Sequence, residues 1–201
     1  TTLILCSFIS GQRSKRNKSL SNVGGYSLLE FSRAISKDSI LVTAFVDIPF
    51  RSLQFIKKNN SFFASYDVSI ILKNNNGKRI FRKMWTDSIR TDDYIQTQSR
   101  LRTRKHFSNF TVAKNKYEIE SELYDKDTRN KGSKNIKIDF SKLTKTPSLM
   151  EPLIIANLDG EWGFNVNEFP ITGKSITNID KGLTLIISGF VDSKPYEVLG
   201  F

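Results

Sequence analysis

The chain has 201 residues, of which 38% are hydrophobic and 25% charged, and its formal net charge is +11. This apolar content is enough for a packed core, so the composition excludes a disordered tail. The single cysteine, Cys6, excludes a scaffold held together by disulfides within the chain.

The positive charge is concentrated in the first two thirds of the chain. Residues 29–140 contain 22 basic and 13 acidic side chains, whereas residues 141–201 contain 5 basic and 7 acidic ones. Such a charge can attract nucleic acid, anionic lipid or acidic glycans. Because the basic residues are scattered and form no dense stripe, we attribute the charge to general composition and do not expect nucleic acid as a partner.

The N-terminus resembles the end of a secretory signal peptide. Residues 1–12 form an apolar run that ends in small residues, and basic residues follow it. The run is too short to span a bilayer, and the alternative interpretation is a buried edge strand. We expect an exported protein, periplasmic, at the cell surface or secreted, whose mature chain has no transmembrane span. We interpret residues 13–27 as a basic and polar tether with few apolar side chains to bury.

Short segments of alternating polarity follow, which is typical of β-strands with one buried face. No helix of convincing length competes with them. The predicted strands are Leu28–Ile35, Ser39–Ile48, Arg51–Lys57, Phe62–Lys73, Lys78–Ile89, Tyr94–Lys105, Phe107–Val112, Lys116–Tyr124 and Asn135–Phe140.

The best-determined pair is Tyr66–Lys73 with Lys78–Ile89. The segment between them ends in Asn-Gly, which favours the positive φ angles of a tight hairpin. Alternation along the first strand predicts four side chains facing the core: Tyr66, Val68, Ile70 and Leu72.

The segment Lys116–Asp125 alternates strictly between apolar and acidic side chains. We expect Tyr117, Ile119 and Leu123 to enter a core while the glutamates between them remain in water. Together these strands predict an all-β fold, an Ig-like or fibronectin-like antiparallel sandwich over residues 28–143.

A second β region is predicted over residues 144–201. Its candidate strands are Leu153–Leu158, Gly163–Asn167 and Leu183–Val191, which are too few for a complete Ig-type sandwich. We therefore interpret the chain as a fragment of a longer protein.

Three aromatic residues stand out as structural candidates. Tyr117 begins its strand and can form the tyrosine corner of an Ig-like sandwich or be an ordinary core residue. Trp85, with Trp162, can supply a sugar-stacking platform, although core packing is the commoner role. Tyr66 is expected in the core.

The charged motifs favour a solvated sheet face over a catalytic or binding site. Arg100, Arg102 and Arg104 alternate along one predicted strand and can pair with the alternating glutamates if the strands are neighbours; the alternative is an anion-binding stripe beside His106. His106 is the only histidine and has no orienting carboxylate nearby in sequence, so we expect no catalysis.

No cofactor or metal site is expected. Residues 125–132 begin like a calcium loop, but Arg129 occupies the position of the third oxygen ligand, so a polar turn is the better interpretation. One histidine and one cysteine are too few for a structural zinc site. No glycine-rich loop precedes a helix, and nucleotide chemistry therefore lacks an anchor.

The layout resembles the N-terminal sandwich of GWxTD-domain proteins, which are exported bacterial proteins. The resemblance rests on segments 66–80, 84–87, 94–97 and 106–112, which lead to Lys116-Tyr117 and Asp125. The motif that names the family is absent, because Trp85-Thr86-Asp87 lacks its glycine and its intervening residue. The resemblance implies a naming domain beyond Phe201 and contributes no catalytic residues.

These observations predict a non-enzymatic binding or spacer module of the bacterial envelope. Its expected partners are other envelope proteins. We expect it to bind them through complementary surfaces and through strand pairing at the edges of its sheets. The alternative is a carbohydrate-binding module that uses exposed aromatic side chains, with a glycan as ligand.

Overall fold

A computed structural model describes residues 25–144, 147–150, 153–156, 183–191 and 194–200. The described chain is almost entirely antiparallel β-sheet, as predicted. In chain order the elements are β1 (Ser27–Ser36), β2 (Ser39–Pro49), a 3-10 turn (Phe50–Ser52), β3 (Ile56–Lys58), β4 (Ser61–Asn74), β5 (Arg79–Thr91), α1 (Tyr94–Thr97), β6 (Thr103–Ala113), β7 (Lys116–Asp125), β8 (Lys131–Asp139), a second 3-10 turn (Ser141–Thr144), β9 (Ser148–Leu149), β10 (Leu153–Ala156), β11 (Leu183–Val191) and β12 (Lys194–Gly200).

Two sheets share the main core. Sheet A has the order β1-β2-β6, and sheet B has the order β5-β4-β7-β8, with β3 also paired to β4. Side chains from both sheets belong to one buried hydrophobic cluster, which is the arrangement of a β-sandwich. The predicted fold class is therefore confirmed.

The β4–β5 hairpin forms as the sequence predicts. Its turn places Gly77 at φ +74°, and the side-chain oxygen of Asn74 accepts hydrogen bonds from the backbone of Asn76 and Lys78. The four predicted core residues of β4 are each at most 1% exposed: Tyr66, Val68, Ile70 and Leu72.

Strand β7 also follows its predicted alternation. Ile119 and Leu123 are fully buried, and Tyr117 is half-buried with its ring centroid 6.4 Å from that of Phe140. The glutamates lie on the outer face of sheet B, with Glu122 the most exposed of the three.

Two predicted strands are wrong. Tyr94–Lys105 does not form a strand; α1 and an irregular segment occupy residues 94–102, and β6 then runs without a break from Thr103. Asp93 caps α1 by accepting a hydrogen bond from the backbone of Ile95, and this local bond competes with strand pairing. Of Arg51–Lys57, only the last two residues enter a strand, because the chain first makes a 3-10 turn after Pro49.

Tyr26, which the sequence analysis placed in a tether with little to bury, is part of the sandwich. Its side chain is 2% exposed, and its hydroxyl lies 3.1 Å from the carbonyl of Ser121 and 3.2 Å from that of Gly132. Burial raises the pKa of Tyr26 to about 12. The segment entering sheet A is thus bonded directly to sheet B.

A third sheet, sheet C, contains β9, β10, β11 and β12, and β11 pairs with each of the other three strands. Strands β10 and β11 match two predicted strands, whereas Gly163–Asn167 lies outside the described residues. Phe190 and Met150 are buried in the cluster that fills the sandwich, and the Nζ of Lys114 lies 3.7 Å from the Phe190 ring centroid. The domain boundaries proposed from the sequence remain a prediction.

Candidate functional site

A polar cluster bridges the two sheets of the sandwich at the side where β5 and β6 run. The hydroxyl of Tyr66 on β4 donates to Oδ2 of Asp87 on β5 at 3.1 Å and lies 2.9 Å from Nε2 of His106 on β6. Arg104 Nε lies 3.9 Å from Asp87 Oδ2. The cluster therefore links the buried Tyr66 to the partly exposed ion pair of Asp87 and Arg104.

The hydroxyl of Tyr66 is shared between two partners. When its one proton is donated to Asp87, the Tyr66 oxygen can accept only from an Nε2-protonated His106, a tautomer consistent with both distances. Burial raises the pKa of Tyr66 strongly and lowers the pKa of His106, with Asp87 opposing the second shift. Burial thus favours the neutral forms of both rings, and the hydrogen bonds hold their side chains in position.

The lowered pKa of His106 predicts an acid-sensitive fold. Its folded-state pKa lies below the usual 6.5, so the stability it contributes is complete above pH 6.5 and is lost as the pH falls below that value. We expect urea unfolding to show a fall in the free energy of unfolding in this range. The variant His106→Gln should lack this component; an identical pH profile for both proteins would contradict the assignment.

Trp85 lies beside this cluster and is half-buried against the core. The centroid of the Trp85 ring is 5.3 Å from that of His106, and the Nζ of Lys83 lies 5.1 Å from the Trp85 centroid. The indole is therefore engaged by neighbours of the same chain. Trp162, its partner in the predicted platform, lies outside the described residues.

The prediction that Arg100, Arg102 and Arg104 alternate along one strand is wrong. Arg100 and Arg102 precede β6, and only Arg104 lies in it. Strands β6 and β7 also belong to different sheets, so the arginines and the glutamates do not face each other. The glutamates instead contact residues of their own sheet: Glu120 with Lys73, Glu122 with Arg82, and Glu118 with Asn135.

The segment that begins like a calcium loop is a polar turn, as predicted. Asp125 is 3% exposed, and its carboxylate accepts hydrogen bonds from three backbone N–H groups, those of Gln54 at 2.8 Å, Asp127 at 2.9 Å and Thr128 at 3.2 Å. These bonds occupy both oxygens in holding the turn.

The α1 loop, residues 92–102, presents apolar side chains to solvent. Tyr94 is 61% exposed, Ile95 78% and Leu101 94%. Exposed apolar side chains grouped on one connection are typical of an interaction surface. The predicted strand over Tyr94–Lys105 gave no indication of this exposed apolar loop.

Hydrogen bonds hold the α1 loop in place. The backbone of Phe50 donates to Arg102 at 2.9 Å, and that of Arg51 donates to Ser99 at 3.2 Å. Thr91, the last residue of β5, donates to the Gln96 side chain of the loop at 2.8 Å. The apolar side chains are thus displayed on ordered backbone.

A sequence signal for this loop exists. Asp93 is followed three residues later by Gln96, which is the spacing of a helix N-terminus. A strand prediction across Tyr94–Lys105 overlooked it.

The described residues place no three potential metal ligands together and contain no helix long and apolar enough to cross a bilayer. No family model matches the sequence, and no curated protein matches it.

Solved structures with a similar arrangement of strands include large glycosidases. A protein from Bacteroides fragilis described as a beta-galactosidase is 13% identical, with a TM-score of 0.40 over 56% of this chain and 16% of its own. The beta-glucuronidase 2 of Bacteroides uniformis is 10% identical, with a TM-score of 0.36 over 56% of this chain and 13% of its own. A structural genomics target, SoR45, is 9% identical, with a TM-score of 0.33 over 62% of this chain and 94% of its own. The chain spans less than a fifth of either glycosidase.

Proposed function

We propose that this chain is a non-enzymatic β-sandwich module that binds a partner protein through its α1 loop. The observation that carries the proposal is the exposure of Tyr94, Ile95 and Leu101 on a backbone held by hydrogen bonds. A loop that is already ordered loses little conformational freedom when a partner covers it. Tyrosine and arginine, which the loop presents at Tyr94, Arg100 and Arg102, are over-represented among the residues that dominate binding at protein interfaces.

The charges around the loop indicate the partner's chemistry. Arg100 and Arg102 are exposed beside Leu101. The two acids of the loop are engaged within the chain, since Asp92 lies 3.6 Å from Arg90 and Asp93 caps α1. An acidic segment with apolar side chains complements this surface, the acids steering the encounter and the apolar groups supplying the contact.

The setting we propose is the bacterial envelope. It is supported by the apolar N-terminal run followed by basic residues and by the resemblance to exported GWxTD-domain proteins. The non-enzymatic role is supported by the burial of His106, whose side chain is 9% exposed and whose Nε2 lies 2.9 Å from the Tyr66 hydroxyl.

Carbohydrate binding through exposed tryptophan has less support. The ring of Trp85 is half-buried, and Lys83 and His106 lie against it. A stacking platform requires an open aromatic face.

Site-specific photocrosslinking in the organism that makes the protein tests the proposal. A benzoylphenylalanine at position 95 should give a discrete adduct with another protein, whereas the same probe at Ile80, also exposed on the described surface, should not. The adduct should disappear with the added change Leu101→Ser, which removes an apolar anchor.

Three results would contradict the proposal. They are identical adducts from both positions, no adduct from position 95, and an adduct of twice the chain mass, which would identify a second copy as the occupant.

A further inference from the structure

We propose that the outer face of sheet B carries a binding site for a neutral saccharide. A depression of about 560 Å³ lies there, within the range of small-molecule sites, and we call it the basin. The basin is lined by Asp67, Val68, Ser69, Arg82, Met84, Glu122, Leu123, Tyr124, Lys131, Gly132 and Ser133.

The register of sheet B explains why a depression forms. Ser69 of β4 pairs with Met84 on one side and Glu122 on the other, and Glu122 pairs with Ser133. Two small side chains therefore alternate with two long ones across the sheet. Two residues along the strands, Tyr124 pairs with Asp67 on the same face of the sheet. Its large ring therefore borders the depression above the two serines.

The two carboxylates of the basin contact neighbouring polar side chains. Asp67 accepts a hydrogen bond from Thr86 at 2.5 Å and pairs with Lys126 at 2.9 Å. Glu122 lies 3.5 Å from Ser69 Oγ and 3.9 Å from Arg82. A lining that contains both donors and acceptors suits a ligand rich in hydroxyl groups, because each hydroxyl both donates and accepts.

The charge of the lining favours a neutral ligand. Its two carboxylates, Asp67 and Glu122, balance its two cations, Arg82 and Lys131. An anionic ligand would meet both carboxylates, and a cationic ligand would meet both basic groups.

The basin also offers apolar contact. Met84 is 58% exposed, whereas the half-buried Tyr124 ring is already covered by Lys131, whose Nζ lies 5.5 Å from its centroid. A sugar ring has C–H faces as well as hydroxyls, and the flexible Met84 side chain supplies an apolar surface for such a face.

A peptide strand fits this surface less well. Strands β4 and β7 are paired on both sides along the basin, so their backbone groups are used within the sheet. Peptides that add to a sheet need an unpaired edge. A saccharide needs only side chains.

Chemical-shift perturbation of the ¹⁵N-labelled full chain tests this inference. The probes are four neutral tetrasaccharides, namely cellotetraose, maltotetraose, tetra-N-acetylchitotetraose and mannotetraose, at about 10 mM, tenfold above a 1 mM dissociation constant. At least one should shift the amides of Ser69, Tyr124 and Ser133. Tetragalacturonate, an acidic counterpart, should bind at least about tenfold more weakly.

Matched variants locate the site. Ser133→Leu fills the basin and Glu122→Gln removes a charged acceptor, and each should weaken binding at least about tenfold. Ser88→Leu is the control, because Ser88 is another exposed serine on the outer face of sheet B but does not line the basin. The basin shares no residue with the α1 loop, so the result is independent of the proposed protein partner.

The inference is overturned if no tetrasaccharide shifts basin amides at this concentration. It is also overturned if Ser133→Leu binds as tightly as the unmodified chain, or if tetragalacturonate binds as well as the neutral probes.

Discussion

Replacing Ile70 by alanine is expected to lower the free energy of unfolding by about 2–5 kcal/mol, the range for large-to-small changes in well-packed cores. Ile70 is fully buried in the middle of β4, and its strand is paired on both sides. Removing its side chain leaves a cavity between the two sheets. Equilibrium unfolding in urea measures the effect.

Ile95→Ala is the matched control. It makes the same chemical change at a side chain that is 78% exposed, so the stability should change by less than about 0.5 kcal/mol. A one-residue slip of β4 would turn Ile70 to the other face of its sheet. A cost below about 1 kcal/mol for Ile70→Ala would contradict the position of this residue between the two sheets.

Replacing Tyr66 by phenylalanine is expected to cost about 1–3 kcal/mol, the range for leaving buried polar groups unpaired. The change keeps the ring but removes the hydroxyl that bonds to both Asp87 and His106. Tyr94→Phe provides the control, because it makes the same chemical change at a residue that is 61% exposed.

A double-mutant cycle separates the hydrogen bond from ring packing. Tyr66→Phe and His106→Phe together should cost less than the sum of the single changes, with a coupling of at least about 0.5 kcal/mol. Additive costs would show that the two side chains do not act on each other.

Local patterns predicted the central part of sheet B. The Asn-Gly turn fixed the β4–β5 hairpin, and strict alternation identified the buried face of β7, because a strand with one face in water repeats every two residues. Strand β12 was missed, and its Lys194-Pro195 start is a weak strand signal, since proline donates no ladder hydrogen bond.

The polar cluster could not be derived from local sequence. Tyr66 lies 21 residues from Asp87 and 40 from His106, and the contact depends on how the sheets pack. The ion pairs of β7 could not be derived from local sequence either. The alternation of its glutamates is evident in the sequence, but that they contact Lys73 and Arg82 follows from the order of the strands in sheet B. Strand order in a sandwich is set by contacts between distant segments.

In the α1 loop, the alternation of polar and apolar residues did not predict the backbone conformation. Alternating polarity predicts one strand over Tyr94–Lys105, yet the cap at Asp93 and the hydrogen bond from Thr91 to Gln96 set a different backbone. Local side-chain hydrogen bonds outweighed the alternation in this segment.

Amide hydrogen exchange of the free chain tests the central claim most directly, namely that an ordered loop holds apolar side chains in solvent for a partner. The amides of Phe50, Arg51 and Ser99, which bond to carbonyls of the α1 loop, should exchange at least about tenfold more slowly than an unstructured chain, an opening free energy of about 1.4 kcal/mol. Exchange at the unstructured rate would mean that the loop is not preorganised, and the exposure of Ile95 and Leu101 would then carry no argument for binding.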